Sequence, residues 1–361
     1  MKGLLIAAGG TGGHVFPALS VGGAWRRLDP EAPIWWVGRA GGRERTWVAF
    51  AGISYEGVQS AGWQRQSPWK NLALLYKLPV GYYQLTQLFR RWPVGVVFTT
   101  GGYPGLMPGW IAHQKKLPLV LLELNTTAGR TIRWLAPYAQ VVFSAFPTLQ
   151  GISDRAKVVW SGVPVRFREA DRHRYTPEAA RAHLGFDPES PLILILGGSQ
   201  GSSTLNKMVL RALSVWAKLP VSILWQVGGE APAYPERSAE IRTQPFITDM
   251  VAAYAAATVV VSRAGGSTLG ELAWWGKASV LVPSPYVAED HQRRNAQHYE
   301  AQGASLVVEE HEGGERLAKA VLDLLEHPSQ REAVEKAALA LAKPDAATHI
   351  AQTLHQLAYG K

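Results

Sequence analysis

A glycine-rich loop near the N-terminus is the first stretch whose residues could carry chemistry. It reads Gly9-Gly10-Thr11-Gly12-Gly13 and is followed by His14. The apolar run at residues 4–8 predicts a strand before the loop, and the apolar period from Val15 predicts a helix after it. Glycine lets backbone N–H groups approach an anionic ligand, and a helix N-terminus adds partial positive charge. His14 could act as a general base, or it could cap the helix or bond a backbone carbonyl.

The same arrangement recurs about half a chain later. Residues 192–196 are apolar, Gly197-Gly198-Ser199-Gln200-Gly201 follow, and helical periodicity continues through Leu213. Two strand, loop and helix units at this separation predict an α/β protein with two Rossmann-like domains. Each domain would offer a glycine loop to a shared cleft.

Other predicted strands also end in glycine or polar residues. In the first half these residues are Gly101, Gly102, Tyr103, Glu123 and Asn125. In the second half the polar residues open to a ligand are Arg166 and Arg263 after predicted strands, Glu271 in the first turns of a predicted helix, and Gln292 in a polar run. The second group suits a phosphorylated nucleotide, because arginine and backbone N–H groups bind phosphate while a carboxylate accepts from ribose hydroxyls.

The first loop departs from the dinucleotide-binding pattern. Its third glycine is missing, and the predicted second strand ends in Gly38-Arg39 where an acidic residue would hold the ribose. An arginine there could instead accept a 2′-phosphate. An NADP-linked oxidoreductase therefore stays open as an alternative.

The sequence offers no recognisable metal or cofactor motif. It has no cysteine, no HExxH and no DxD, so we expect neither a protein-held metal ion nor a cofactor. The Walker loop of NTPases is also absent from the sequence. No stretch resembles a signal peptide or reaches the roughly 18 apolar residues of a membrane-spanning helix, so we expect neither.

Positive charge is concentrated in the first half of the chain. Residues 1–162 carry 17 Lys and Arg against 6 Asp and Glu, whereas residues 163–361 carry 20 against 22. Such a one-sided field is compatible with an anionic phospholipid surface or with nucleic acid.

Residues 62–88 combine large apolar and aromatic side chains with basic ones, and they contain no acid. The residues singled out for membrane contact are Trp69, Lys70, Leu72, Leu75 and Lys77. Aromatic residues at headgroup depth and lysines near anionic lipid predict an interfacial membrane contact. A core helix with snorkelling lysines is an equally weighted alternative.

Domain boundaries are predicted from the charged stretch 166–177, which lacks an apolar period and is interpreted as the interdomain connection. We expect an N-terminal domain over 1–163 that binds the acceptor and the membrane. A donor-binding domain would follow over 164–343, with a terminal helix over 344–361 that could pack back on the first domain.

Four motifs together resemble the MurG family of bacterial glycosyltransferases. They are GGTGGHVFPAL from residue 9, GGSQGSSTLN from 197, SRAGGSTLGEL from 262 and EDHQRRNA from 289. The resemblance spans nearly the whole chain and implies a GT-B fold, with two Rossmann-like domains whose parallel sheets face a central cleft. It also implies metal-independent, inverting transfer of N-acetylglucosamine from UDP-GlcNAc to the C4 hydroxyl of MurNAc in undecaprenyl-pyrophosphoryl-MurNAc-pentapeptide, which converts lipid I to lipid II in peptidoglycan synthesis.

The resemblance also implies residue roles. His14 is implied as the base, and the acceptor would be bound by Thr11, Gly12, Gly13, Gly101, Gly102, Tyr103, Glu123 and Asn125. UDP-GlcNAc would be bound by Arg166, Ser199, Gln200, Ile247, Met250, Gly266, Ser267, Thr268, Glu271 and Gln292. The family's HEQN is Leu122-Glu123-Leu124-Asn125 here, and its GGYxS-type loop is Gly102-Tyr103-Pro104-Gly105.

The implied setting is the cytoplasmic face of the bacterial plasma membrane, with the protein bound peripherally to an anionic surface. Partners would be UDP-GlcNAc, lipid I and other cell-wall synthesis proteins, and no nucleic acid is expected. The alternatives are the NADP-linked oxidoreductase and a non-catalytic, basic peripheral membrane protein.

Overall fold

The structure is a computed structural model that describes residues 2–60, 74–229, 233, 240–287 and 290–360. The chain divides into two compact units. Unit 1 comprises Met1–Arg166 and Lys343–Lys361, and unit 2 comprises Phe167–Ala342. The boundaries predicted from the sequence fall at 163/164 and 343/344.

Unit 1 is built on a parallel sheet. Its strands are β1 (Gly3–Ala7), β2 (Ile34–Arg39), β3 (Ser54–Val58), β4 (Val94–Thr99), β5 (Leu119–Glu123), β6 (Val141–Ser144) and β7 (Val158–Trp160). Within the described residues the strand order is β3-β2-β1-β4-β5-β6-β7, with parallel pairing. β1 and β4 are buried along their whole length, because helices cover both faces of a parallel sheet. The chain order reverses between β1 and β4, and ligands of open parallel sheets bind at such switch points.

Helices pack on both faces of this sheet. They are α1 (Gly12–Leu28), α2 (Glu44–Phe50), α3 (Leu74–Arg91), α4 (Gly102–Gln114) and α5 (Arg130–Leu135). Alternate residues of β1 belong to different cores: Leu4 packs in the cluster that contains Trp25 of α1, and Leu5 in the cluster that contains Leu85 of α3 and Ile111 of α4. This alternation follows from the twofold side-chain period of a strand.

Unit 2 repeats the plan with a second parallel sheet. Its strands are β8 (Leu192–Leu196), β9 (Ser222–Gln226), β10 (Glu240–Gln244), β11 (Ala257–Ser262), β12 (Ser279–Leu281) and β13 (Leu306–Val307). In the described part of the unit their order is β10-β9-β8-β11-β12-β13, and the pairings are parallel. The order reverses between β8 and β11, so unit 2 has its own switch point.

The helices of unit 2 are α6 (Glu169–Arg172), α7 (Pro177–His183), α8 (Ser203–Trp216), α9 (Met250–Ala256), α10 (Gly266–Trp275), α11 (His291–Ala301), α12 (Gly313–Glu326) and α13 (Pro328–Ala340). On one face of the sheet α8 and α12 share a core in which Leu213 and Trp216 lie with Leu317 and Val321. The apolar positions recur every three or four residues, which is the period of an amphipathic helix.

The last helix, α14 (Ala346–Tyr359), returns to unit 1 and packs against α1. Its residues Ile350 and Leu354 are fully buried in the same core as Trp25. The Tyr359 hydroxyl donates to the carbonyl oxygen of Lys2 at 2.8 Å. These contacts join the end of the chain to its beginning.

The α/β class with two Rossmann-like domains is confirmed by the two parallel sheets. The residues at two helix ends also match the usual capping preferences. Asp249 caps α9 by accepting from the Ala252 N–H at 3.0 Å, and Gly276 ends α10 in the left-handed conformation at φ 60°. Continuous apolar runs and unambiguous caps are therefore predictable from sequence.

Several elements were not predicted, and each lacks the expected pattern. β3 is an edge strand in which only Val58 is buried, and α4 carries two prolines that made its sequence look like a loop. The stretch 166–177, predicted as the interdomain connection, starts at the boundary between the two units and also contains the short helix α6. α13 begins at Pro328, since proline suits the first helical position. Finally, α1 begins at Gly12, so His14 lies inside the helix and not before it.

A pair of glycines tests the packing of α4 on the sheet. An added Cβ at Gly105 would lie 2.0 Å from Thr99 Oγ1, whereas one at Gly23 of α1 would meet nothing closer than 3.7 Å. We expect Gly105→Ala to lower the free energy of unfolding by about 2 kcal/mol through overpacking. Gly23→Ala should raise it by about 0.5–1 kcal/mol, because alanine is the better helix former. Urea unfolding measures both, and equal effects of the two variants would contradict this packing.

Candidate active site

The switch point of unit 1 holds the first glycine loop. Gly10 has φ 95°, a conformation that favours glycine, and an added Cβ at Gly9 would lie 2.6 Å from Oε1 of the buried Glu44. Thr11 is the N-cap residue of α1, and Gly12 and Gly13 form its first turn. The predicted acceptor residues of this loop therefore lie at the N-terminus of a 17-residue helix, where backbone N–H groups and the helix dipole favour an anion.

His14 joins this loop to the end of β4 through two hydrogen bonds. Its Nδ1 lies 2.9 Å from the carbonyl oxygen of Thr100, and the Thr100 hydroxyl donates to the carbonyl oxygen of His14 at 3.0 Å. A carbonyl can only accept, so Nδ1 carries the proton in this contact. In the neutral ring the basic lone pair then resides on Nε2. The predicted backbone contact thus exists, and it fixes the tautomer that a base at Nε2 requires.

The end of β4 provides a second glycine-rich turn. Gly101 and Gly102 have φ values of 87° and 68°, and the Gly101 N–H donates to Thr99 Oγ1 at 3.1 Å. An added Cβ at Gly102 would lie 3.6 Å from the Gly9 carbonyl oxygen, so the two loops are neighbours. Tyr103 follows in the first turn of α4. The structure therefore brings the predicted residues of both loops to one edge of the sheet.

Glu123 lies at the end of β5 and organises the loop that follows. Its Oε1 accepts from the backbone N–H groups of Leu124 and Asn125 and from Asn125 Nδ2, while Oε2 accepts from the Gly129 N–H at 2.8 Å. Burial raises the pKa of Glu123 to about 6, and these hydrogen bonds oppose the rise. Glu123 is 3% exposed, so in this structure the carboxylate holds the loop that carries Asn125.

The second glycine loop lies at the switch point of unit 2, after β8. Gly198 and Gly201 have φ values of 86° and 72°, and an added Cβ at Gly201 would lie 2.4 Å from the Val227 carbonyl oxygen. Ser199 is half-buried and Gln200 is exposed. α8 begins just beyond, with the Ser202 hydroxyl accepting from the Leu205 N–H. Ser199 and Gln200 therefore lie before a helix N-terminus, where a phosphate would be favoured.

Arg263 does not serve as the open phosphate ligand that its sequence position suggested. Its guanidinium is buried and donates to Ser202 Oγ and, at 2.9 Å, to the Val282 carbonyl oxygen. It also pairs with Glu310 Oε1 at 2.6 Å. Arg263 thus ties the start of α8 to the ends of β11 and β12. The earlier interpretation is corrected: this arginine shapes the loops through structural contacts.

The predicted uracil-contact residues lie between β10 and α9. Ile247 and Met250 are both buried, and Met250 is the first residue of α9. The Gln226 side chain accepts from the Ile247 N–H at 2.9 Å and donates to the Gly198 carbonyl oxygen at 2.9 Å. The Gln226 side chain at the end of β9 therefore joins the segment that contains Ile247 to the glycine loop.

Gly266, Ser267 and Thr268 form the first turn of α10, and Glu271 lies one turn further on. Glu271 is 6% exposed, and its Oε2 accepts from the Tyr254 hydroxyl at 2.9 Å. The first turn again offers backbone N–H groups to an anion.

Gln292 lies in the first turn of α11, where its Oε1 accepts from the Ser284 N–H at 2.9 Å. Asn295 Nδ2 donates to the Ala264 carbonyl oxygen at 3.2 Å, which ties α11 to the loop before α10. The structure therefore brings the predicted donor residues of unit 2 to the edge of its sheet.

Arg166 was predicted as a handle in the second domain, but it is the last residue of the first segment of unit 1. Its guanidinium lies 4.5 Å from the centroid of the Phe16 ring, which belongs to α1. A cation over an aromatic face is an attractive contact. Arg166 therefore contacts the helix that carries His14.

Residues 74–83 of α3 expose apolar side chains. Leu75 is 76% exposed and Tyr83 is 64% exposed, whereas Leu85 and Leu88 further along the helix are buried in the core. Lys77 lies in the same segment and is half-buried, and Trp69, Lys70 and Leu72 lie outside the described residues. The core-helix alternative therefore holds only for the part of α3 from Leu85 onward. None of the helices in the described ranges is long and apolar enough to cross a membrane.

Sequence reasoning missed the side chains that hold the loops. Thr100, Ser202, Gln226 and Tyr254 each bond a predicted site residue or its loop. Thr100 and Gln226 follow or end an apolar strand run, and Ser202 precedes an apolar-periodic helix, so a polar residue at each of these positions was an available signal. Tyr254 lies inside an alanine-rich helix and gave no such signal.

The pKa of Glu123 predicts a pH effect on stability. Because this pKa is raised from 4.5 to about 6 on folding, the protonated carboxyl stabilises the fold below pH 4.5, and that contribution is lost as the pH rises through 6. The unfolding free energy of the wild type relative to Glu123→Gln should fall by about 2 kcal/mol between pH 4 and pH 7. Denaturant unfolding across this range measures the difference. A constant difference would contradict the burial of an ionisable carboxylate here.

Comparison with known proteins agrees with this geometry. Residues 4–144 match the model of the glycosyltransferase family 28 N-terminal domain, and residues 192–350 match that of the glycosyltransferase family 28 C-terminal domain. A UDP-N-acetylglucosamine--N-acetylmuramyl-(pentapeptide) pyrophosphoryl-undecaprenol N-acetylglucosamine transferase of Phocaeicola vulgatus is 33% identical, with 98% of this chain and 96% of the relative covered. A protein of the same name from Salinibacter ruber is 35% identical over 98% of this chain and 96% of its own.

A solved structure is similar over the whole chain as well. The crystal structure of Acinetobacter baumannii MurG superposes with a TM-score of 0.72 at 26% identity, covering 99% of this chain and 100% of that one. The predicted GT-B fold and glycosyltransferase activity are confirmed, and neither the NADP-linked oxidoreductase nor the non-catalytic protein is supported. The chain is a glycosyltransferase of family 28 and belongs to the MurG family within it.

Proposed function

We propose that the enzyme transfers N-acetylglucosamine from UDP-GlcNAc to the C4 hydroxyl of MurNAc in undecaprenyl-pyrophosphoryl-MurNAc-pentapeptide, with inversion at the sugar carbon. The observation that carries this proposal is 33% identity over 98% of the chain to a transferase named for that reaction. The two glycine loops at the two switch points support it, because donor and acceptor both contain a diphosphate.

In the proposed reaction the C4 oxygen attacks C1 of N-acetylglucosamine. The new C1–O4 bond forms as the bond between C1 and the phosphate oxygen breaks, and UDP leaves with the electron pair. The C4 hydroxyl proton passes to Nε2 of His14, which holds the lone pair because Nδ1 bonds the Thr100 carbonyl oxygen. A single displacement of this kind inverts the configuration at C1, through an oxocarbenium-like transition state.

Each substrate is assigned to the residues of one loop set. Thr11, Gly12 and Gly13 would bind the acceptor pyrophosphate at the start of α1, beside Gly101, Gly102 and Tyr103, with Asn125 held in place by Glu123. Ser199, Gln200, Gly266, Ser267 and Thr268 would bind the UDP diphosphate at two helix N-termini. Ile247 and Met250 would contact uracil, Glu271 the ribose and Gln292 the N-acetylglucosamine. Arg166 would be a further residue that binds UDP-GlcNAc.

The proposal assigns no metal ion or cofactor to the reaction, as the family resemblance implies. Loop N–H groups and the N-termini of α8 and α10 would balance the charge on the leaving diphosphate. In the part of the chain that the structure describes, no group of three or more His, Cys, Asp or Glu side chains is placed to hold a metal.

The direct test is UDP release by the purified full-length chain from UDP-GlcNAc and a soluble lipid I analogue. We expect His14→Gln to lower kcat about 100-fold or more, since a positioned general base contributes that much. The KM for UDP-GlcNAc should change little. No UDP release by the wild type would overturn the proposed function.

His327 provides a matched control for this variant. It is an exposed histidine whose Nδ1 also lies 2.9 Å from a backbone carbonyl oxygen, that of Asp323. His327→Gln should therefore keep the wild-type kcat. Unchanged turnover in His14→Gln would remove His14 as the base while leaving the enzyme assignment intact.

We further propose that residues 74–83 of α3 contact an anionic membrane surface at the cytoplasmic face of the plasma membrane. Other cell-wall synthesis proteins would be partners at that membrane. Leu75 and Tyr83 expose apolar area on a unit whose net charge is strongly positive, which suits interfacial binding.

Sedimentation with phosphatidylglycerol vesicles tests this contact. The double variant Leu75→Ser and Tyr83→Ser should weaken vesicle binding about tenfold, because buried apolar area is lost. Phe50→Ser is the control, since Phe50 is 87% exposed but lies at the end of α2 and not on α3. This variant should bind the vesicles as the wild type does. Equal binding by wild type and double variant would contradict membrane contact through α3.

A further inference from the structure

Glu271 is held by a buried tyrosine from another helix. The Tyr254 hydroxyl of α9 donates to Glu271 Oε2 of α10 at 2.9 Å, and Tyr254 is fully buried. In this contact the phenol hydroxyl is the donor and the carboxyl oxygen is the acceptor. Ribose hydroxyls can donate to the same carboxylate, which has about four acceptor positions.

Aromatic packing fixes the Tyr254 ring. Its centroid lies 5.7 Å from that of Phe167 in an edge-on contact and 6.0 Å from that of Trp275 in a stacked contact. The Phe167 centroid also lies 5.5 Å from that of Trp274, and the Arg172 guanidinium lies 4.2 Å from the centroid of the Trp274 ring. A ring confined in this way can present its hydroxyl in one direction only.

The helix that carries Tyr254 also carries the base-contact segment. Met250 lies four residues before Tyr254, on the same face of α9, and Ile247 precedes the helix. The Asp249 cap fixes where α9 begins, and Gln226 fixes the Ile247 backbone. Any shift of α9 would therefore move the base contacts and the Glu271 carboxylate together.

We propose that Tyr254 is a positioning residue that orients Glu271 toward the ribose hydroxyls of the donor, and thereby makes the site selective for ribonucleotides. The inference rests on the proposed function, in which Glu271 bonds the ribose. Its distinct content is that the phenol hydroxyl of Tyr254, and not only the aromatic packing, sets this selectivity.

The experiment compares the affinities of UDP and 2′,3′-dideoxy-UDP for the full-length protein by isothermal titration calorimetry. We expect the wild type to prefer UDP at least about tenfold, since hydrogen bonds to a charged group are lost in the dideoxy compound. Tyr254→Phe removes only the hydroxyl and should reduce the preference to about threefold or less, mainly by weakening UDP binding.

Tyr299→Phe is the matched control. Tyr299 is buried on α11, and its hydroxyl donates to the Leu269 carbonyl oxygen of α10 at 2.9 Å. The variant therefore removes a comparable buried hydrogen bond to the same helix, one that is accepted by a backbone carbonyl and not by the Glu271 carboxylate. The preference for UDP should stay at the wild-type ratio.

Glu271→Gln supplies a second variant, which should also lose the preference because its amide nitrogen cannot accept from ribose. If Tyr254→Phe weakens both nucleotides by the same factor, Tyr254 acts through packing and the inference is overturned. The inference is overturned, and the proposed function is kept, if the wild type and Glu271→Gln behave as expected while Tyr254→Phe retains the wild-type preference. If the wild type does not bind UDP, both the inference and the proposed function are overturned.

Discussion

The two hydrogen bonds between His14 and Thr100 are the contact on which the acceptor side of the site depends. They join the helix after β1 to the end of β4, which are the two strands flanking the point where the chain order of the sheet reverses. The same pair brings two glycine-rich turns side by side and fixes the protonated nitrogen of the imidazole. Backbone geometry and the chemistry proposed for His14 therefore follow from one local constraint.

In unit 2 the glycine loop is also held by hydrogen bonds, but from different side chains. Its glycine loop and helix starts are held by Gln226, by Arg263 with Ser202, and by Tyr254 with Glu271. In both units the groups expected to touch phosphate are mostly backbone N–H groups, which have no freedom once the loop is set. Buried polar side chains at strand ends set those loops, and their own hydrogen bonds offset the cost of burying them. This explains why Glu123 and Arg263, which looked like ligands in the sequence, act inside the protein in this structure.

The sequence predicted those parts of the fold that depend on local pattern. The continuous apolar strands β1, β4 and β8 and the glycine loops were all evident, because each is encoded by adjacent residues. β3, α4 and α13 were missed, since an edge strand buries little and prolines within or at the start of a helix resemble breaks. In the site, the residue types were predictable but the partners were not: Thr100 and Tyr254 are brought to His14 and Glu271 by tertiary folding alone. Arg166 was assigned to the wrong unit because the sequence near it gives no sign of its contact with Phe16.

The central claim is that His14 is poised as a base through Nε2 because Nδ1 donates to the Thr100 carbonyl oxygen. Nitrogen-15 NMR of protein labelled at histidine tests this most directly, with the His14 signals identified by their loss in a His14 variant. At a pH where the ring is neutral, the account predicts a protonated Nδ1 and an unprotonated Nε2. A His14 ring protonated at Nε2, with the lone pair on Nδ1, would contradict it.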